Sequence, residues 1–165
     1  MPRSTDHFLT THVGSLPREQ DLMQMMFARE DGVPVDQQAL HGRIHQAVID
    51  IVKKQKDLGI DVVNDGEMSK PSYATYIKDR LDGFGGSENT YVFDDLVDFP
   101  NLARRVGEDP SRQHRHAPGC KGPISVKTTD DVHEDVANMQ EATNGNMEYA
   151  FFSSASPGVT SIFFK

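Results

Sequence analysis

One cysteine and no tryptophan occur among the 165 residues. Cys120 alone permits no internal disulfide and falls short of the four protein ligands that a cysteine-based structural zinc site needs. No apolar run approaches the roughly 20 residues of a membrane span, and the N-terminal stretch MPRSTDHFLTTH lacks the apolar core of a signal peptide. Positive charge is also scarce: 17 basic residues face 25 acidic ones for a formal charge of −8, so nucleic acid and anionic membranes are disfavoured partners. The 13 glycines form neither a P-loop nor a GxGxxG pattern, which leaves no positive case for nucleotide binding. With 36% hydrophobic and 25% charged residues, the chain reads as one globular domain, expected in the cytoplasm and with a small-molecule partner.

Periodicity divides the chain into alternating elements. A strand is expected from Phe8 to Val13, closed by Gly14, Ser15 and Pro17. Leu40, Ile44, Val48, Ile51, Val52 and Leu58 recur at helical spacing, with Asp36 as N-cap and Gly59 as stop. The β-branched run Ile60 to Val63 follows as a second strand and ends in Asn64, Asp65, Gly66 and Glu67. Tyr73, Tyr76, Ile77, Arg80 and Leu81 predict another helix, with Pro71 in its first turn and Gly83 beyond its end. From Gly83 to Gly119 the pattern breaks into an irregular excursion, with a weak strand at Thr90 to Phe93 and a short helical piece within Asp94 to Val106. A strand at Pro123 to Lys127, a helix from Asp130 or Asp131 to Thr143 built on Val132, Val136 and Met139, and a strand at Tyr149 to Ser153 complete the chain. Strands alternating with helices imply a parallel α/β sheet, because parallel neighbours need a crossover. The polar clusters at His12 to Ser15, Asn64 to Glu67 and Ser153 to Gly158 would then share the rim formed by the strands' C-terminal ends.

Glu67 leads the candidate residues, since a carboxylate just past a buried strand can receive an ammonium or act as acid or base. Asp65 can share that role, and capping of the following helix is open to either carboxylate. Ser15 can offer a hydroxyl, with backbone N–H groups of its loop, to a carboxylate. His12 is a lone histidine at a strand end without an HxxxH or HxC pairing, which favours a hydrogen-bonded structural role over a ligand. His114 and His116 flank Arg115 in a basic setting unsuited to a cation, and Cys120 beside Lys121 is by default an inert thiol. Arg104, Arg105, Arg112, Arg115 and Lys121 form either an anion or polyglutamate contact or, as charge runs usually do, a solvated face.

TTHVGSLPR at Thr10 to Arg18 and LGIDVVNDGE at Leu58 to Glu67 together resemble the catalytic barrel of the cobalamin-independent methionine synthase family and its shorter single-barrel relatives. The similarity continues through SKPSYATYIKDRLDGFGG, CKGPISVK and SSASPGV. It implies a partial (β/α)₈ TIM barrel, about the first four βα units, and an S-methyltransferase that moves a methyl group from 5-methyltetrahydrofolate, as its polyglutamate, to homocysteine. By the same resemblance the loop Val13, Gly14 and Ser15 contacts the homocysteine backbone, Val13 standing where many members carry isoleucine, and Glu67 binds the amino group. Zinc is implied for the complete barrel, but the family's histidine, glutamate and cysteine ligands have no matching positions here; no residue is expected to bind metal, and the catalytic groups stay unassigned.

A complete barrel takes about 250 residues, so this chain is expected to be a truncated half, inactive alone. Val159, Ile162, Phe163 and Phe164 would leave an apolar face for a complementary C-terminal half-barrel or for a second copy in a homo-oligomer. Alkyl transfer to another thiol, or a non-catalytic binding or assembly module, are the alternative readings.

Overall fold

The structure is a computed structural model and describes residues 3–85, 94–108 and 119–161. In chain order its elements are α1 (Gln20–Glu30), α2 (Gln37–Asp57), β1 (Val63–Asn64), α3 (Tyr73–Arg80), β2 (Leu81–Gly85), α4 (Pro100–Gly107), β3 (Gly119–Val126), α5 (Asp130–Ala142), β4 (Ala150–Phe151) and α6 (Pro157–Ser161).

Helix α2 organises the core. The Asp36 carboxylate caps its N-terminus by accepting from the Ala39 amide at 3.1 Å, satisfying one of the donors a helix start leaves open. Leu40, Ile44, Val48 and Val52 form its buried stripe and pack with Leu22 and Met26 of α1, Val63 of β1 and Met139 of α5. Leu58, which the periodicity places on that stripe, is 73% exposed, because it is the C-cap and the chain turns away at Gly59 with φ +79°. Position 55 continues the stripe instead, and it holds a glutamine.

The parallel α/β expectation holds at the level of pairing. Thr11 bridges Val62 in parallel, and β1 pairs in parallel with β4, Val63 opposite Ala150 and Asn64 opposite Phe151. The strand expected at Phe8 to Val13 contracts to that one bridge, with Phe8 exposed. Its place is held by side chains as well as by the ladder. Asp61 accepts from both the amide and the hydroxyl of Thr10 at 2.8 Å, and the Thr11 hydroxyl donates to Val62 O at 2.6 Å.

Two expectations change. Leu81 does not end a helix: the chain passes straight from Arg80 into β2. The strand expected at Pro123 to Lys127 is the second half of β3, which starts at Gly119 and ends at Val126, and it pairs antiparallel with β2, Leu81 opposite Val126 and Phe84 opposite Cys120. It therefore belongs to a two-stranded ribbon, and three parallel strand positions, rather than four, stand among the described residues. An antiparallel pair needs no crossover helix, which is why strand–helix alternation could not reveal it. The register shifts at Gly83, whose φ is +90° and where an added Cβ would lie 2.5 Å from Pro123 O; the irregularity also accommodates Pro123, which has no N–H to give a ladder. The expected strand at Thr90 to Phe93 lies outside the described residues, while the helical piece near Asp94 to Val106 is found as a short 3₁₀ turn, Asp94–Leu96, followed by α4.

Helix α1 was not expected from the sequence. It buries Leu22 and Met26 one turn apart and is tied outward by Arg43 to Asp21 at 2.6 Å and by Lys78 to Glu30 at 2.5 Å. Helix α5 rests on α2 through Met139, with His41 to Glu134 at 2.6 Å and His45 to Glu141 at 3.1 Å along the seam; Val132 faces outward. No helix of the described residues is long and apolar enough to cross a membrane.

Two outcomes test this packing. Leu40→Ala, at a fully buried position, is expected to cost about 2–5 kcal/mol in urea unfolding; a change within error would show that α2 does not carry the core. The Thr10 amide, then His7 and the Thr10 hydroxyl, lower the Asp61 carboxyl from 3.8 to about 2. A folded-state pKa below the unfolded one adds stability that is complete above the unfolded value and fades as pH falls towards the folded one. The stability difference between wild type and Asp61→Asn should therefore be full near neutrality and shrink between pH 3.8 and about 2, as followed by thermal unfolding. A difference independent of pH over that window would refute the carboxylate clamp.

Candidate functional site

The site is assembled where β1 ends. Asn64 is buried, and the amide of Gln55 grips its main chain from α2: Asn64 N donates to Gln55 Oε1 at 3.1 Å, and Gln55 Nε2 donates to Asn64 O at 2.7 Å. The Asn64 side chain spreads the grip in two directions. Its Nδ2 donates to His12 O at 2.5 Å, and its Oδ1 accepts from the Gly66 amide at 2.7 Å. The loop after Thr11 and the turn after β1 are thereby held against each other. Leu16 N adds a bond to Gly66 O at 3.0 Å.

The turn itself is sterically demanding. Gly66 has φ +59°, and a Cβ there would meet Met68 Cε at 2.9 Å and Leu16 Cβ at 3.2 Å. Glu67 follows at φ +58°, a left-handed conformation uncommon for a residue with a side chain. Asp65 stabilises it by accepting from Glu67 N at 3.0 Å, while Arg18 Nη2 donates to Glu67 O and Lys70 O, each at 2.5 Å.

Of the residues marked out in the sequence, Ser15 and Glu67 meet: the Ser15 hydroxyl donates to Glu67 Oε2. Glu67 is 6% exposed, while Ser15 lies at the surface. Gly14 takes φ +105°, and Val13 beside it is 71% exposed, an apolar side chain open to solvent. A surface hydroxyl thus rests on a buried carboxylate, with an exposed apolar residue two positions before Ser15 in the chain; a hydroxyl and a carboxylate so placed can between them meet an anion and an ammonium.

Asp65 takes the structural role instead. Its second oxygen accepts from Lys70 Nζ at 2.7 Å, and both partners are 3% exposed. Lys70 also lies 3.9 Å from Asp135 and over the rings of Tyr76 and Phe152, at 5.5 and 5.6 Å from their centroids. Burial raises the Asp135 carboxyl above its usual range, against the pull of Lys70 and Arg80. Sequence reasoning did not single out Lys70 or Gln55. The signal for Gln55 was its place on the apolar stripe of α2; Lys70, within the SKPSY run, carried none.

The remaining candidates separate from this site. His12 donates from Nε2 to Gly14 O at 3.0 Å and shapes the loop. The Cys120 thiol lies in β3 and donates to Gly122 O at 3.5 Å. Arg104 pairs with Glu108 at 3.0 Å on an exposed face of α4, consistent with solvated charge; His114, His116, Arg112 and Arg115 lie outside the described residues. No group of three or more histidine, cysteine, aspartate or glutamate side chains among the described residues can hold a metal ion. The described residues therefore do not fit the zinc that the resemblance implies.

Residues 8–99 match the model of the cobalamin-independent synthase catalytic domain. Methionine synthase of Sulfolobus acidocaldarius is 35% identical over 75 residues, which cover 46% of this chain and 22% of the relative. A 5-methyltetrahydropteroyltriglutamate–homocysteine methyltransferase of Mycolicibacterium paratuberculosis is 29% identical over 83 residues, 50% of this chain and 11% of that protein. The chain thus spans a minor part of the curated relatives it matches. A B12-independent methionine synthase from a Shewanella species, solved in complex with selenomethionine, superposes with a TM-score of 0.60 at 19% identity over 94% of this chain and 40% of that one, which establishes a shared fold. The catalytic-domain match covers more than half of the chain and contains both Ser15 and Glu67, so the chain belongs to the cobalamin-independent synthase catalytic-domain family.

Proposed function

We propose that this chain is the amino-acid-holding part of a homocysteine S-methyltransferase barrel, working with methylated tetrahydropteroylpolyglutamate as donor. The observation that carries the reading is the bond between Ser15 and the buried Glu67 carboxylate. The two groups that a zwitterionic amino acid needs are already adjacent and occupied with each other. Homocysteine enters by exchange: its ammonium takes the place of the Ser15 hydroxyl on Glu67, and the released hydroxyl turns to the substrate carboxylate. Burial of Glu67 strengthens its attraction for the ammonium by excluding competing water. Val13 supplies an apolar wall beside the side chain that carries the sulfur.

In the overall reaction the N5–methyl bond of the donor breaks as the carbon–sulfur bond of methionine forms; the thiol gives up its proton and the pterin nitrogen gains one. The described residues of this chain orient the nucleophile but offer no ligand set for a metal, and no step is assigned through one. The parallel pairings and the family fold are those expected of the early strands of a (β/α)₈ barrel, and the reading includes a complementary half-barrel that brings the thiol-activating groups and the folate surface. Cytoplasmic residence follows from a folate-dependent biosynthetic role.

Titration calorimetry with homocysteine or methionine tests the site directly. Wild type is expected to bind, and Glu67→Ala to lose about tenfold to a hundredfold in affinity, the scale of one charge-assisted hydrogen bond. Ser15→Ala should lose less, since removal of the hydroxyl also removes the bond that the ammonium must break. A folded wild type that binds the desamino analogue of methionine as tightly as methionine itself would overturn the assignment of Glu67.

A further inference from the structure

We propose that Lys70 is a positioning residue for the Glu67 carboxylate, acting through Asp65 and its own main chain. The inference rests on the reading of Glu67 as the ammonium acceptor and extends it to a residue that touches no substrate.

Lys70 brackets Glu67 from two sides. Its ammonium holds one oxygen of Asp65 at 2.7 Å, which turns the other oxygen to the Glu67 amide at 3.0 Å. Its own amide donates to Glu67 O at 2.9 Å, and its carbonyl shares the Arg18 guanidinium with that same oxygen. Glu67 therefore has its N–H and its C=O both committed to groups that Lys70 orients. This matters because φ is +58° at Glu67: a strained residue stays in place only where its surroundings determine it more than once. Released from that turn, the backbone relaxes to negative φ and swings the carboxylate away from Ser15.

Stability alone does not account for a lysine here. A buried ion pair returns little over an apolar replacement of the same size, because both charges lose their hydration. Lys70 and Asp65 are each 3% exposed, and the ammonium is further lined by the Tyr76 and Phe152 rings, a setting that would accept a methionine. What methionine cannot do is orient the Asp65 carboxylate. Phe152 follows β4 and Asp135 lies on α5, so the same ammonium also ties the Glu67 turn to the next parallel strand and to the helix before it.

Two variants separate positioning from support. Lys70→Met leaves Asp65 buried without its cation, and is expected to lower stability, to speed hydrogen exchange at the Glu67 amide by about tenfold and to weaken homocysteine binding to a similar degree. Asp65→Asn combined with Lys70→Met removes both charges and keeps an oxygen acceptor at position 65. The double variant is expected to regain most of the unfolding midpoint, yet to retain fast Glu67 exchange and weak binding. Recovery of stability, exchange and affinity together in the double variant would reduce Lys70 to a structural role, and unchanged exchange in Lys70→Met would overturn the proposal outright. If wild type fails to bind homocysteine, the functional reading falls, while amide exchange at Glu67, measured without ligand, still decides the role of Lys70.

Discussion

The two-point grip of Gln55 on the main chain of Asn64 is the constraint from which the rest of the site follows. A strand as short as β1, two residues long, has little ladder to hold its end in place. Gln55 supplies a donor and an acceptor in the spacing of a second strand's peptide group, from a helix whose own position is set by the buried stripe beside it. Asn64 then passes the constraint on through its side chain, to His12 O on one side and Gly66 N on the other. Packing energy in α2 is thus converted, through four hydrogen bonds, into the geometry of two loops. Burial makes this effective: with no water to compete, each of these groups must keep its protein partner or incur the full cost of desolvation.

The same logic explains why polar residues crowd beneath the site rather than only in it. Asp65, Lys70, Asp135 and Arg80 run as a chain of alternating charge from the turn after β1 towards α5, with Arg80 stacked 3.5 Å above the Tyr76 ring. Alternation limits the cost of burying each charge but does not abolish it, as the raised Asp135 carboxyl shows. A carboxylate held in a left-handed turn needs support from directions that apolar side chains cannot supply, because only hydrogen bonds and ion pairs constrain orientation as well as distance.

Much of this was legible in the sequence, and the limits have physical causes. The helical stripe of α2, its aspartate cap and its glycine stop are local signals, and the structure follows them. Ser15 and Glu67 were legible as strand-end polar residues, and their meeting follows from the parallel pairing of Thr11 with Val62. The β2–β3 ribbon was not legible: antiparallel pairing across a long excursion leaves the same apolar run as a parallel strand, and strand–helix alternation argued for the wrong partner. Helix α1 escaped notice because its buried face is narrow, Leu22 and Met26 alone, amid residues that also suit a loop. Glu67 led the candidates in the sequence with Asp65 able to share its role; Lys70, five residues on and folded back onto Asp65, is what separates the two.

The pairing order also accounts for where the proposed ligand-binding groups lie. Strands at Thr11, Val63 and Ala150 run in one direction, so the loops that follow them emerge on one side, and backbone groups there are no longer satisfied by a ladder. The chain fills those vacated positions with short polar side chains and tight turns, which keep the backbone paired while leaving the Glu67 carboxylate directed at a partner that can be exchanged. In the proposed function Ser15 is such a partner: it bonds Glu67 in the absence of substrate and is exposed enough to turn away. On that reading, one bond at the surface that an ammonium can replace, set on a scaffold of buried bonds that it cannot, lets one turn be both fixed in position and open to a ligand.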